Sequence, residues 1–289
     1  MTQIPRERLV RDDDLRDNKR KAAQGTPAGN DGKRCGAMLR EWVSHLTTPA
    51  PEAAKRLGYL KEQIAIAARH RRLRHAWKEH LERSRRFVLW SAANCPAQDK
   101  VTILGSGGLL DVPLGELADD FAEVVLVDIL HPPAVRAWAA QYANVYLVDA
   151  DLTGLVDGLA EGTVPDEPPE PIFPDADADL VVSLNLLGQL PLIPARHVPD
   201  KQAGAFSEAV QRQHLRALQA LPGRVCLITE TVREYVEDGA VDETEPALGD
   251  IRLPEPDESW TWNLAPAPEL ERARDLRLRI AAYSNLFKK

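Results

Sequence analysis

The chain has 289 residues, 44% of them apolar and 28% charged, with a formal net charge of −8. That length and balance let it bury a full core as a globular protein. No apolar run reaches the roughly 20 residues of a membrane span, and the opening MTQIPRERLVRDDD lacks the apolar stretch of a secretory signal. Three scattered cysteines (Cys35, Cys95, Cys226) without CxxC or HExxH spacing predict neither a disulfide framework nor a metal site, and fit a reducing cytoplasm.

Residues 1–34 are polar, charged and rich in Gly, Asn and Asp, which predicts a disordered tail. Met38, Leu39, Trp42, Val43 and Leu46 recur at helical spacing and predict a short helix over 37–47, ended by Pro49 and Pro51. A long helix is expected over 52–90, with one stripe of Leu60, Ile64 and Ala67 continued by Leu73, Trp77, Leu81, Ser84 and Val88. Between Lys55 and Lys100 twelve Lys/Arg face four acids, a local +8 that leaves −16 for the remainder. Such a helix is the obvious nucleic-acid candidate. RNA binders, however, add stacking aromatics, and here Trp77 and Phe87 lie on or beside the apolar stripe. A solvated face paired with the acidic body is the favoured reading. Residues 35–99 are therefore expected to form an N-terminal helical cap on a domain spanning 100–289.

From Lys100 onward strands and helices alternate, which predicts a Rossmann-like, mostly parallel sheet with helices on both faces. Strands are expected at 101–104, 124–128, 145–148, 178–184 and 224–229, with helices at 133–142 and 200–221. A poorly ordered acidic linker is expected over 237–258, then two strand-like segments at 260–264 and 276–283. Continuous apolar runs such as LVVSL suit strands covered on both faces.

VTILGSGGLLDVPLGELADDFAEVVLVD, residues 101–128, carries the chemistry. A strand runs into Gly105-Ser106-Gly107-Gly108, where glycine permits a sharp turn and close approach to a ligand. The helix that follows is expected to aim its N-terminal N–H groups at the same spot. The next strand ends in Asp128, placed to accept from ribose hydroxyls; an acid there also suits a helix cap. Leu110 replaces the third glycine of GxGxxG, which argues against NAD or FAD, and no lysine completes a P-loop.

These features resemble the class I S-adenosylmethionine-dependent methyltransferases, over about Lys100–Tyr283. ILGSGG is similar to the first motif, beside the methionine arm. VVLVDI resembles the second, whose acid (Asp128, with Ile129 following) holds the ribose. NVYLVDADLTG resembles the third, in which Asp151 contacts the adenine amine and Leu152 packs nearby. ADLVVSLNLLGQLP is similar to the fourth, with Asn185 at the strand end near the reacting group. The closing strand pair resembles the family's final β-hairpin. The resemblance implies a seven-stranded sheet and S-adenosylmethionine bound by Gly105, Ser106, Gly107, Asp128, Ile129, Asp151, Leu152 and Asn185. It further implies methyl transfer to a small-molecule acceptor. The alternatives are a non-catalytic scaffold of this fold and an RNA methyltransferase using the basic helix. Leu109 stands where the family has another glycine, which predicts a narrower cleft, an altered methionine pose or a site that has lost productive geometry.

Other residues carry two readings. Asn185 serves the reacting group or satisfies the strand's backbone. Asp111, before Val-Pro, is expected as an N-cap. His131 and His214 are bases by type, but as isolated histidines they are expected to be surface or core residues. Glu230 and Tyr235 face the ligand side or form its rim. No catalytic base is assigned.

Overall fold

The computed structural model describes residues 48–174 and 177–287. The tail at 1–34 and the helix expected at 37–47 lie outside the described residues.

Two helices, α1 (Glu52–Leu57) and α2 (Tyr59–Ala93), replace the single helix expected over 52–90. Gly58 turns left-handed at φ 95° and ends α1. The apolar stripe begins only at Leu60, past this break, and periodicity registers side chains and not torsions. A second irregularity, Leu73 at φ −105° and ψ 19°, kinks α2. Of the expected stripe, Leu60, Trp77, Leu81, Ser84 and Val88 are buried, whereas Ile64 and Leu73 are half-buried and Ala67 is exposed, Ala68 taking the buried place beside it.

The strands are β1 (Lys100–Leu104), β2 (Glu123–Asp128), β3 (Val145–Asp149), β4 (Leu180–Leu184), β5 (Arg224–Glu237), β6 (Ala240–Pro246), β7 (Glu258–Ala265) and β8 (Arg274–Tyr283). Between them lie α3 (Leu114–Asp120), α4 (Pro133–Ala139), α5 (Val156–Ala160) and α6 (Asp200–Ala220). The path is β3-β2-β1-β4-β5-β8-β7. Strands β1 to β5 pair in parallel along it, and β8 is antiparallel to both β5 and β7. This is the Rossmann-like, mostly parallel sheet that the alternating elements predict, closed by an antiparallel pair.

An eighth strand joins it. The stretch expected as a linker begins with β6, which forms a hairpin with an extended β5. Asp238 and Gly239 make the turn at φ 50° and 83°, a pair of positive torsions that suits Asp-Gly. Nearly every β6 side chain is exposed, so no apolar pattern announced the strand.

Both sheet faces are covered, and consecutive residues feed opposite cores. Val101, Ile103, Val124, Leu126, Leu180, Val182, Cys226 and Ile228 pack under α2 and α3. Val125, Val127, Val181, Val225 and Leu227 pack under α5 and α6. This period-two alternation explains the uninterrupted apolar runs. Helix α2 is fastened to the sheet at its middle and end. The Trp77 indole N–H donates to the Leu264 carbonyl at 2.8 Å and its ring meets Trp262 edge-on at 5.1 Å. Ser91 Oγ donates to the Ser284 carbonyl at 2.8 Å.

Several cations of the basic face of α2 are paired with acids. Arg69 and Arg72 meet Glu269, Arg86 reaches Glu258, and Lys78–Glu82 and Arg83–Glu79 span one helical turn. Among the described residues no helix is long and apolar enough to cross a membrane, and no cluster of side chains suits a metal ion.

Candidate functional site

The glycine turn closes directly after β1. The N–H groups of Gly105 and Ser106 donate to the Val127 carbonyl at 2.9 and 3.2 Å, tying the turn to β2. Gly105 sits at φ 80°, and a Cβ there would stand 3.0 Å from Leu186 Cβ and 3.2 Å from the Leu184 carbonyl oxygen. A side chain there would be strained by the torsion and would need the end of β4 to give by a few tenths of an ångström. The helix expected to follow at once instead begins at Leu114 and is seven residues long.

Asp128, at the end of β2, binds the turn from the other side. Its Oδ2 accepts from the Gly107 N–H at 2.7 Å, and its Oδ1 accepts from the Ile129 N–H at 2.7 Å. A carboxylate offers about four lone-pair sites, so the main-chain donors do not exhaust it. Burial pushes the Asp128 carboxyl upward, against the Gly107 N–H and His131. Helix α4 starts at Pro133 without a side-chain cap, so the capping alternative for Asp128 is not realised.

Asp151 is engaged differently. Its Oδ1 accepts from the Thr153 N–H and hydroxyl at 2.8 and 2.6 Å, and its Oδ2 from the Val156 N–H at 2.8 Å. These bonds close a local turn and satisfy the first residue of α5. Leu152 is buried in the core beneath. Over this loop lies the start of α2, where burial foremost, with Asp151, raises the Tyr59 hydroxyl's pKa. Farther along α2, Gln63 Nε2 lies 3.9 Å from where a Cβ on Gly107 would stand.

Beneath the turn runs a buried chain of polar groups. Ser106 Oγ meets His131 Nε2 at 3.0 Å, and His131 Nδ1 meets Asp149 Oδ1 at 2.6 Å. Arg136 holds the other Asp149 oxygen and donates through Nε to the His131 carbonyl at 3.1 Å. The order serine, imidazole, carboxylate is that of hydrolytic triads. Ser106 is 1% exposed and His131 0%, so here it braces the turn against β3. His131 is thus a core residue, as expected. So is His214, which contacts Ser183 Oγ at 3.0 Å and whose pKa burial lowers to about 3.

Asn185, at φ 48° beyond β4, lies in a second polar cluster. Asparagine tolerates this left-handed torsion better than most residues. Its N–H donates to the Ile228 carbonyl at 2.8 Å. Its side-chain amide lies 2.7 Å from Asp111 Oδ2 and 3.2 Å from His80 Nε2. His80 Nδ1 accepts from the Trp260 indole N–H at 3.0 Å, and its ring stacks on Trp262 at 3.8 Å between centroids. Asp111 is therefore not the N-cap expected of it; Pro113 holds that place and α3 has no side-chain cap. Sequence reasoning missed His80, Trp260 and Trp262. The signal for His80 was present, since it falls on α2's buried stripe between Trp77 and Ser84.

Glu230 is buried against the loop after β4, where a Cβ on Gly188 would stand 2.2 Å from its Oε1. Burial pushes its carboxyl upward, against Arg233. Tyr235 instead contacts Glu245 Oε2 at 3.5 Å across the β5–β6 hairpin. The structure thus gathers Gly105, Ser106, Gly107, Asp128 and Ile129 at one turn, and Asn185 just beyond it. Asp151 and Leu152 form the next loop along the same sheet edge.

No family model matches the chain, and no curated protein matches it. Among solved structures it is similar to 1,6-didemethyltoxoflavin-N1-methyltransferase from Burkholderia thailandensis, with bound 1,6-didemethyltoxoflavin and S-adenosylhomocysteine. The identity is 14% and the TM-score 0.37, over 90% of this chain and 92% of that one. It is also similar to the N-methyltransferase NodS from Bradyrhizobium japonicum, at 14% identity and a TM-score of 0.35, over 71% and 87%. The 23S rRNA methyltransferase ErmE aligns at 15% identity and a TM-score of 0.29, over 71% of each chain. Scores this low carry no argument about activity; the fold rests on the strand order.

Proposed function

We propose that this chain is an S-adenosylmethionine-dependent methyltransferase acting on a small-molecule acceptor. The observation that carries the reading is Asp128, whose carboxylate accepts from the Gly107 N–H of the turn and keeps acceptor positions for a ribose. The residues fit the cofactor. Gly105 to Gly107 would lie along its amino-acid arm, Asp128 and Ile129 at the ribose, Asp151 and Leu152 at the adenine, and Asn185 at the reacting end. The bound cofactor would supply an electrophilic methyl group. This chain's part would be to position the acceptor and exclude water from it, and the buried His80, Trp260 and Trp262 beside Asn185 would wall that position. No side chain is assigned as a general base.

A small acceptor suits these enclosed aromatic groups better than a polymer does. The basic face of α2, the basis of the RNA alternative, is engaged with Glu269 and Glu258. Leu109, the basis of the scaffold alternative, is buried in the core under α2.

Isothermal titration with S-adenosylhomocysteine tests the reading. Asp128→Ala is expected to weaken binding by roughly 30- to 1000-fold, as loss of about 2–4 kcal/mol of hydrogen bonding predicts. It also lowers stability, because two main-chain N–H groups lose their partner. Asp151→Ala, whose carboxylate serves its own loop, is expected to cost more stability than affinity. If Asp128→Ala melts lower but binds unchanged, Asp128 only braces the turn, and the reading loses its carrier. No heat with the wild-type protein rejects it outright.

A further inference from the structure

The cluster around Asn185 obeys a proton count. An indole nitrogen only donates, so Trp260 Nε1, 3.0 Å from His80 Nδ1, fixes Nδ1 as an acceptor without a proton. A neutral imidazole then carries its proton on Nε2. Burial keeps the ring neutral, pulling its pKa down to about 3. The Nε2–H requires an acceptor, yet the group 3.2 Å away is the nitrogen end of the Asn185 amide, and two donors repel.

The two ends of an amide are isosteric, and which is oxygen follows from its partners. Turning the Asn185 amide over gives His80 an oxygen to donate to. That oxygen then lies 2.7 Å from Asp111 Oδ2, and two oxygens so close share a proton. The amide oxygen has none to give, so it belongs to Asp111.

We infer that Asp111 is held as an un-ionised carboxylic acid, and that Asn185 turns its amide NH2 toward a ligand group that accepts hydrogen bonds. The surroundings agree. Burial pushes the Asp111 carboxyl upward, and Arg85 from α2, the one cation that opposes this, bonds the Leu110 carbonyl. His80, also from α2, is neutral.

With the amide turned, His80, Trp260 and Asp111 all have partners within the cluster. The far end of the Asn185 amide, on a residue 7% exposed, has no partner among the described residues. Two N–H donors at that buried position suit an oxygen lone pair. Asn185 lies between Leu184 and Leu186, both of which approach Gly105, so this position adjoins the glycine turn. The oxygen belongs to the carboxylate of the cofactor's amino-acid arm or to a carbonyl or carboxylate of the methyl acceptor. This ligand assignment rests on the methyltransferase reading; the proton assignment does not.

An infrared difference spectrum of wild type against Asp111→Asn at neutral pH tests the proton. The expected result is loss of an un-ionised carboxylic-acid carbonyl band; loss of carboxylate bands overturns the inference. Nitrogen-15 NMR of wild-type His80 decides independently should the variant not fold: a proton on Nε2 supports the chain, and one on Nδ1 breaks it. The unfolded chain ionises Asp111 in the ordinary carboxylate range, about 3.9. Its contribution to stability is therefore full below that range and is lost as pH rises through the raised folded value. This loss is expected in wild type and absent from Asp111→Asn. The side-chain amide signals of Asn185 then identify the oxygen. A shift with S-adenosylhomocysteine but not with 5′-methylthioadenosine, which lacks the amino-acid arm, assigns it to the cofactor; no shift when both bind assigns it to the methyl acceptor. If neither compound binds, the methyltransferase reading fails while the infrared and His80 results stand.

Discussion

Leu109 holds a torsion of φ 56°, a left-handed conformation that costs a leucine roughly 1–2 kcal/mol. Glycine would adopt this torsion freely. Leucine is retained because its side chain is 2% exposed, packed in the core under α2. It therefore does not project into the cleft as one sequence expectation had it. Leu109→Gly relieves the torsion but empties a leucine-sized volume, which alone costs about 2–5 kcal/mol. Urea unfolding is expected to show a net loss of about 1–3 kcal/mol; a gain would mean that the side chain contributes no packing. The turn itself was legible in the sequence because glycines and a strand-end acid at fixed spacing are local signals. The roles of Asp111 and His80 were not. Their partners lie 74 and 180 residues away in sequence, at Asn185 and Trp260, and no local pattern encodes such meetings.

Among the elements, α2 depends most on one residue. Trp77 combines an indole hydrogen bond to Leu264 with an edge-on contact to Trp262. Trp77→Ala is expected to cost about 3–5 kcal/mol, as large aromatic truncations do. Trp77→Phe keeps an aromatic ring but strands the Leu264 carbonyl, for about 1–2 kcal/mol. Chemical denaturation of both variants checks the ordering; equal, small losses would show that the helix is held elsewhere. The elements themselves were unevenly legible. Strands covered on both faces announced themselves as apolar runs. The β5–β6 hairpin did not, because its outer strand is exposed and acidic, although Asp238-Gly239 carried the turn signal.

At the scale of the whole molecule, two buried histidines contribute to the response to acid. His80 and His214 are ordinarily protonated near pH 6.5, and burial lowers both to about 3 in the fold. Each contributes stability that is complete above 6.5 and is lost progressively as pH falls from there toward 3. His214→Gln is expected to show a smaller difference in unfolding free energy between pH 7 and pH 4 than wild type does. An equal difference would place the acid sensitivity in other groups. The strand order was legible because alternating strands and helices admit few topologies, whereas the roof over the site was not. Helix packing is decided by which surfaces meet, and one apolar stripe states only that some partner exists.

The kink at Leu73 divides α2 into unequal halves. Eight residues from Trp77 to Ala92 are buried, but only Leu60 and Ala68 before the kink are. The half nearer Gly107 and Asp151 is thus the weakly anchored one, and local opening is easiest where few apolar groups must be exposed. Amide hydrogen exchange is expected to run faster over 60–72 than over 76–92; uniform protection would make the helix one cooperative unit. Residence time at the glycine turn would then be governed by how often this short front segment opens, at a frequency independent of the sheet's own lifetime.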